Sequence, residues 1–501
     1  MGILEGFVGG LFQAFSFDVF PYLLVGSLFG LIVGVIPGLS GHFAMAMAIP
    51  FLYTMEPNAG VAFILGAHAT VAQGGGITAI LFSTPGTGQN AATMLDGPPM
   101  RRQGLGGQAV GAALLACFMG ATFGAVALAI LLPVLQEASL LFGPPEIVIL
   151  SFLALTFVAV LGKEDMARSL VVALLGLMLA MVGLDNVTNQ ARFTFDSFAL
   201  IDGLPLVPVI LGLFAVSEMF DLFIRGGSLS DSSDGKAMSM RETQRQIFSG
   251  MKITLQKWWL VMRCSSIGTL MGLVPGLGSA PAAFVAYGHA KQTSKDKASF
   301  GKGNIEGVIG AEAANDAVEG GALASTIAFG IPGSSSMAIL LGGLFILGME
   351  TGPRMMISHL DIVFVMIFTI VIGNLIGTIF GMFLVNPLTR ATFLRSSILV
   401  PVLICIVFTG AYVVHNAWFE MVIALVFGIL GYVMKELSYS RAAMLIGLVL
   451  GYAIEKNLYL ALQLDGPRFY LDPIPLTLVV ITLVFLGWNI WTFIRDRKKE
   501  A

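Results

Sequence analysis

Charge is what this sequence most lacks. Only 11% of its 501 residues are Asp, Glu, Lys or Arg, against about 25% in an ordinary soluble domain. With 56% hydrophobic residues and a mean hydropathy of +0.88, the composition excludes a soluble fold. It indicates a polytopic membrane protein, because nearly the whole length divides into apolar runs near the roughly 20 residues that span a bilayer. No basic tract occurs outside loops and the last few residues, so nothing suggests a nucleic-acid partner. Cysteine is scarce too. Cys117, Cys264 and Cys405 each sit alone in an apolar run, which excludes a disulfide framework or a thiolate metal cluster and leaves them as packing residues. The five histidines (His42, His68, His289, His359, His415) show no HExxH or i,i+4 spacing, and no nucleotide-binding P-loop is visible. The N-terminus lacks the basic region and small-residue site of a cleaved signal peptide; residue 6 is glycine, so the Ser/Thr of a myristoylation motif is missing.

What is present is a duplicated interruption. Ile77-Thr-Ala-Ile-Leu-Phe-Ser83-Thr84-Pro85-Gly86-Thr87-Gly-Gln-Asn90 is an apolar run broken by Pro-Gly among small hydroxylated residues, and an apolar run follows to Leu95. A reduced copy begins at Ser325 and contains Gly330-Ile-Pro332-Gly333-Ser334-Ser335-Ser336. Each reads as a re-entrant helical hairpin, near 77–95 and 322–342. A second pair of breaks lies upstream, at Pro37-Gly38-Leu39-Ser40 and Pro275-Gly276-Leu277-Gly278. Proline removes a backbone donor and glycine permits positive φ, so helices end there. Such breaks are tolerated at membrane depth only against protein or a wet cavity.

The copies share more than their breaks. At an offset of 238, Gly30, Gly34, Pro37, Gly38 and Leu39 recur as Gly268, Gly272, Pro275, Gly276 and Leu277. At an offset of 247, Ala67, Val71, Gly74, Pro85 and Gly86 recur as Ala314, Val318, Gly321, Pro332 and Gly333, the difference being an insertion assigned to the basic loop Lys291–Lys302. The chain therefore reads as a first membrane repeat over 1–225, a hydrophilic loop over 226–257 whose Lys/Arg excess places it in the cytoplasm, and a second repeat over 258–501. The expected fold is all-α, with about 12 transmembrane helices plus the two hairpins, and repeats that an odd number of crossings per half would invert. The tail Arg495-Asp-Arg-Lys-Lys499 should also be cytoplasmic.

Matching broken helices in two halves are the mark of a secondary transporter with a midplane site. A half-helix starting after Pro-Gly offers free N–H groups and a positive dipole end, which suits an anion. Ser83, Thr84, Gly86, Thr87, Asn90, Gly333, Ser334, Ser335 and Ser336 are the candidate substrate contacts, and a carboxylate can be held there without a buried cation. The same small residues also permit plain close packing. The upstream breaks free carbonyls, and Pro37, Gly38, Ser40, Gly276, Leu277 and Asn315 are the candidate Na⁺ ligands. Glu312, Asn315, Asp316 and Glu319 fall on one helical face, either a cation site or proton relay or a wet face at the membrane edge. His42 or His68 near the site is a further option, and Asp96 before Gly97-Pro98 should cap or end the first hairpin.

Together, Gly34-Val-Ile-Pro-Gly-Leu, Gly74-Gly-Gly-Ile-Thr-Ala-Ile-Leu-Phe-Ser-Thr-Pro-Gly-Thr, Asp96-Gly-Pro-Pro-Met, Glu312-Ala-Ala-Asn and Gly330-Ile-Pro-Gly-Ser resemble the large membrane subunit of the tripartite tricarboxylate transporters, the TctA family. The resemblance covers essentially the whole chain. It implies a bacterial inner-membrane importer of carboxylates, working with a small membrane subunit (TctB-like) and a periplasmic substrate-binding protein (TctC-like), with a dimeric assembly as a further option. By similarity to other binding-protein-dependent transporters, Na⁺ is the expected coupling ion and an elevator-like movement is expected. Alternatives are a proton-coupled permease or channel of the same architecture and, further off, an intramembrane enzyme or a scaffold. The chain departs from the family pattern at Gln73-Gly-Gly-Gly76, often Tyr-Gly-Gly-Ser, and at Ser83, often Asn. Both lie beside the proposed site, so citrate does not follow as the substrate.

Overall fold

Two long helices run through the middle of the structure, buried along nearly their whole length. In the computed structural model, which describes residues 2–36, 39–84, 86–161, 166–185, 188–225, 240–391 and 396–500, these are the third and seventh of nine helices that build the site. In chain order they are α1 (Phe20–Val35), α2 (Gly41–Ala48), α3 (Pro57–Phe82), α4 (Gly106–Leu141), α5 (Trp258–Gly272), α6 (Ser279–Thr293), α7 (Ile305–Phe329), α8 (Ser335–Ile346) and α9 (Arg441–Leu464). Every residue from Ala59 to Ile80 in α3 and from Gly307 to Ala328 in α7 is buried. A helix enclosed on all sides belongs inside a larger body, and the polar side chains that α7 carries must find their partners there. Pro57 opens α3, its missing N–H costing nothing in a first turn, and the Asn304 side chain caps α7 by accepting from Glu306 N at 2.8 Å.

Small residues let the neighbours close on these helices. A Cβ added to Gly34 of α1 would lie 2.2 Å from the Val71 carbonyl oxygen of α3, and one on Gly272 of α5 would lie 2.2 Å from that of Val318 in α7. Gly30 meets Ala67 in the same way, and Gly268 meets Ala314. These are the positions paired by the sequence offsets, so two helix pairs pack through equivalent glycines. Backbone-to-backbone contact of this kind is how helices associate where the hydrophobic effect cannot drive them together.

Among the described residues, six helices are long and apolar enough to cross a membrane: Pro57–Phe82, Gly106–Leu141, Leu206–Ile224, Leu360–Phe383, Trp418–Glu436 and Arg441–Leu464. Shorter apolar helices include Phe20–Val35, Ser335–Ile346 and Pro473–Asn489. The protein is a helical, multi-pass membrane protein, and the only strands among the described residues are the two-residue pair Gly183–Leu184 and Ala191–Arg192. Large apolar side chains such as Ile130, Val134, Leu483 and Trp488 are more than half exposed on the outside, as a lipid-facing surface requires.

Three local expectations are refined. The second arm of the first hairpin is not a long helix but two 3-10 turns, Gly88–Ala91 and Thr93–Leu95. Asp96-Gly97-Pro98-Pro99 interrupts it within ten residues, whereas Ser335–Ile346 meets no such stop. Within the hydrophilic stretch, Met240–Gln256 is a helix lodged against α4, with Gly111 facing the Ile247 carbonyl and Gly250 facing that of Gln108; residues 226–239 lie outside the described residues. Leu206–Arg225 is interrupted by a π-helix, Leu211–Val216, which no periodicity announced.

Candidate functional site

Five helical segments begin at one place. The residues that cap their N-termini are Ser40 for α2, Thr87 for the turn Gly88–Ala91, Gly278 for α6, Ser334 for α8 and Ser440 for α9. All five line a single cavity of about 280 Å³. Ser40, Ser334 and Ser440 each accept from a backbone N–H of the first turn, those of Phe43, Met337 and Ala443. Each capped end still leaves N–H groups unpaired within its helix and the positive pole of the dipole near the cavity.

The lining pairs by offset as the sequence does. Ser40, Gly41 and His42 correspond by the 238 offset to Gly278, Ser279 and Ala280, and Thr87, Gly88 and Gln89 by the 247 offset to Ser334, Ser335 and Ser336, and all of them line the cavity. Val158, Ser440 and Ile446 are also in the wall, and among the described residues no Lys, Arg, Asp or Glu lines it. Two contacts fix the lining there, one within the second half and one between the halves. Gly276 N donates to Gly333 O at 2.9 Å, tying the second upstream break to the second tip. His42 Nε2 meets Ser335 Oγ at 2.5 Å, tying α2 to α8. The other face of His42 stacks on Phe214 of the π-helix at 5.2 Å. Arg441 lies over that ring and donates to Leu213 O, Ser217 Oγ and Glu218 Oε1.

Behind the cavity the polar face of α7 is fully enclosed. Glu312, Asn315, Asp316 and Glu319 are all buried, which removes the reading of this face as a wet membrane edge. Glu312 accepts from Asn90 (3.1 and 3.2 Å), Thr93, Cys117 (3.3 Å) and Asn315 (3.4 Å). Glu319 Oε2 lies 2.8 Å from His68 Nε2, and Glu319 Oε1 accepts from Ser279 Oγ at 3.3 Å.

The wider comparisons agree with this architecture. Residues 20–446 match the model of the Tripartite tricarboxylate transporter TctA family. The chain belongs to that family. An uncharacterized 52.8 kDa protein in the TAR-I ttuC' 3'region of Agrobacterium vitis is 30% identical over 493 residues, covering 96% of this chain and 95% of that protein. An uncharacterized protein in the TAR-II ttuC' 3'region of the same organism is 31% identical over 237 residues, 47% of this chain and 98% of its own length. No solved structure matches. As a TctA-family member the chain is transporter machinery of a tripartite system.

In this TctA chain the candidate residues are distributed as follows. Thr87, Ser334, Ser335 and Ser336 line the cavity. Gly86 and Gly333 support its tips from behind, against Gly34 and Gly75 and against Ala322 respectively. Asn90 lies deeper, its side chain accepting from Thr87 Oγ1 at 2.7 Å and donating to Ala72 O and Glu312. Ser83 and Thr84 are exposed and outside the lining; Ser83 ends α3 in the left-handed conformation (φ 56°), the role Gly330 plays at the end of α7. The cation candidates are divided: Ser40, Gly276 and Leu277 line the cavity, whereas Asn315 joins the carboxylates behind it. Pro37, Gly38 and Pro85 lie outside the described residues.

Asp96 has a larger role than capping. It is fully buried, and its Oδ1 accepts from the backbone N–H groups of Gly301, Gly303 and Asn304, each at 2.8 Å, so it clamps the inserted loop of the second half. Sequence reasoning missed Gln89, Ser440, Thr93 and the Cys117 donor. Ser440, three residues ahead of Ala443 and just before an apolar helix, carried a capping signature that was legible; the Cys117 contact was not.

Proposed function

We propose that this chain is the large permease subunit of an ion-gradient-driven importer of di- and tricarboxylate anions, with the carboxylate held at the cavity. The observation that supports this is the convergence of four helix N-termini and one 3-10 turn on a pocket that, among the described residues, no charged side chain lines. A buried Lys or Arg would cost several kcal/mol of desolvation when the site is empty; backbone N–H groups, hydroxyls and dipole ends hold an anion without that cost and release it readily. The volume suits a small organic acid, being below the 300–1,000 Å³ typical of drug-sized ligands.

The coupling ion in this reading is Na⁺. Substrate arrives through a periplasmic binding protein, and the small membrane subunit completes an assembly in the bacterial inner membrane with the C-terminus in the cytoplasm. Inverted repeats, with an elevator-like displacement of the elements around the cavity, supply alternating access. The pairing of Ser40–His42 with Gly278–Ala280, and of Thr87–Gln89 with Ser334–Ser336, supports a site built by two copies of one unit.

The test is uptake of labelled di- and tricarboxylates into proteoliposomes holding this chain, its small partner subunit and its binding protein. Accumulation that requires an inward Na⁺ gradient and the binding protein is expected. Accumulation driven by a pH gradient alone would replace Na⁺ by H⁺, and no accumulation under either gradient would remove the reading.

A further inference from the structure

One helix away from the cavity carries an exposed outer face of mixed chemistry. It is the Met240–Gln256 helix, which leads through Lys257 into α5. At 3.6 residues per turn, its Arg241, Arg245, Phe248, Lys252 and Leu255 fall within about 80° of one another. All five are exposed, Phe248 by 54% and Leu255 by 57%. Thr243, Ile247, Gly250 and Thr254 are buried on the opposite side, and Glu242 falls beyond the edge of the stripe.

Packing lays this helix across the end of the membrane body. Gly107 meets Thr243 and Gln246, Gly111 meets Ile247, Gly250 meets Gln108, and Thr254 Oγ1 donates to Ala112 O. Residues 243–254, about 17 Å of helix, thus rest on residues 107–112 of α4, about 8 Å, at 1.5 Å per residue. Aligned helices would cover equal lengths, so these two cross steeply. At one end Gln244 Nε2 donates to Met382 O, where the span Leu360–Phe383 finishes. At the other, Lys257 pairs with Glu306 in the first turn of α7 at 2.5 Å. The helix therefore bridges the ends of α4, α7 and that span.

On the stripe the charge is of one sign. Among the described residues, Arg241, Arg245 and Lys252 form no ion pair, and Glu306 is already engaged by Lys257. Arg102 and Lys302 are exposed alongside, where Gln246 donates to Gly104 O and Gln103 to Lys302 O. Trp258 and Trp259 follow the helix, 55% and 59% exposed, and indole favours the headgroup level of a bilayer. A face turned only to water has no use for Phe248, Leu255 and two tryptophans. One sunk in acyl chains has no use for three cations. Basic and apolar side chains interleaved on one stripe match a layer of anionic headgroups over acyl chains.

We propose that the outer face of the Met240–Gln256 helix is a docking surface for anionic phospholipid. Arg241, Arg245 and Lys252 meet headgroup phosphates, while Phe248 and Leu255 reach the acyl chains. The bilayer surface then holds the start of α5, and α5 leads to Gly276, Leu277 and Gly278 in the cavity wall. The lipid contact itself does not depend on the transport reading.

The test titrates the purified, delipidated full-length chain in detergent with phosphatidylglycerol or phosphatidylcholine and counts bound lipid by native mass spectrometry. Wild type should retain phosphatidylglycerol in preference, with binding that weakens as NaCl is raised. The Arg241→Gln, Arg245→Gln, Lys252→Gln triple variant should lose roughly tenfold or more in phosphatidylglycerol affinity and bind phosphatidylcholine as wild type does. Lys252→Gln alone should show a smaller loss, which covers the case in which the triple change unfolds the chain. Arg354→Gln, at the other end of α4 where Gln136 meets Met356, should change nothing. Equal retention of the two lipids by wild type overturns the surface, as does undiminished phosphatidylglycerol binding in the folded triple variant. Full competition by inorganic phosphate overturns it in favour of a free-anion site. A triple variant that keeps its lipid but no longer co-purifies with the small membrane subunit assigns the face to that protein instead.

Discussion

Replacing Gly86 by alanine tests the hairpin tips most directly. A methyl group there would lie 2.3 Å from Gly34 O and 2.5 Å from Gly75 Cα. Both neighbours are backbone atoms of packed helices, and ordinary carbon contact needs about 3.5–4.0 Å, so the tip must retreat by roughly 1 Å. Gly333→Ala repeats the insult in the second half, with Ala322 Cα at 2.6 Å and Ala322 O at 2.8 Å. Overpacking of this size costs about 1–3 kcal/mol. If the tip bears the whole displacement, that becomes roughly a 5- to 150-fold loss of apparent substrate affinity, at 1.4 kcal/mol per tenfold. Gly288→Ala is the control: nothing lies within 4 Å of its Cβ, and it sits inside α6, where alanine gains up to about 1 kcal/mol over glycine. Concentration-dependent carboxylate uptake in proteoliposomes, with a melting curve for each variant, separates the outcomes. Wild-type uptake by Gly86→Ala at unchanged melting temperature would refute the packing argument, and so would an equal loss in Gly288→Ala.

Other consequences follow from single contacts. Asp96→Ala strips the acceptor from three backbone N–H groups at once; at about 1–2 kcal/mol each the chain should lose roughly 3–6 kcal/mol, and a fall in melting temperature below 2 °C would contradict the clamp. Ser334→Ala removes the cap on Met337 N and should cost about 1 kcal/mol of stability, with a clearly larger effect on substrate affinity than on melting. Arg441→Lys keeps the charge but cannot reach Leu213 O, Ser217 Oγ and Glu218 together. A bidentate site of this kind does not accept lysine as equivalent, so melting should drop in Arg441→Lys while a Lys435→Arg comparison, still able to pair Glu218 and Asp221, drops less.

Sequence by itself determined the membrane class and the breaks, and it paired the motifs at fixed offsets. Composition decides whether a chain can face water, and Pro-Gly acts on the backbone locally, whatever surrounds it. Thus Thr87 and Ser334–Ser336 could be named before any helix was placed, and Asp96 could be picked out though not its use. Tertiary structure alone decided which breaks meet. Ser440 enters the cavity from more than one hundred residues beyond the second tip, Ser334–Ser336, and the unequal second arms put Asn90 behind the wall instead of in it. It also decided that the face bearing Glu312, Asn315, Asp316 and Glu319 turns inward. Helical spacing puts four polar residues on one side of a helix; only the packing of α4 and the first hairpin against that side shows whether water, lipid or a buried ion must answer them.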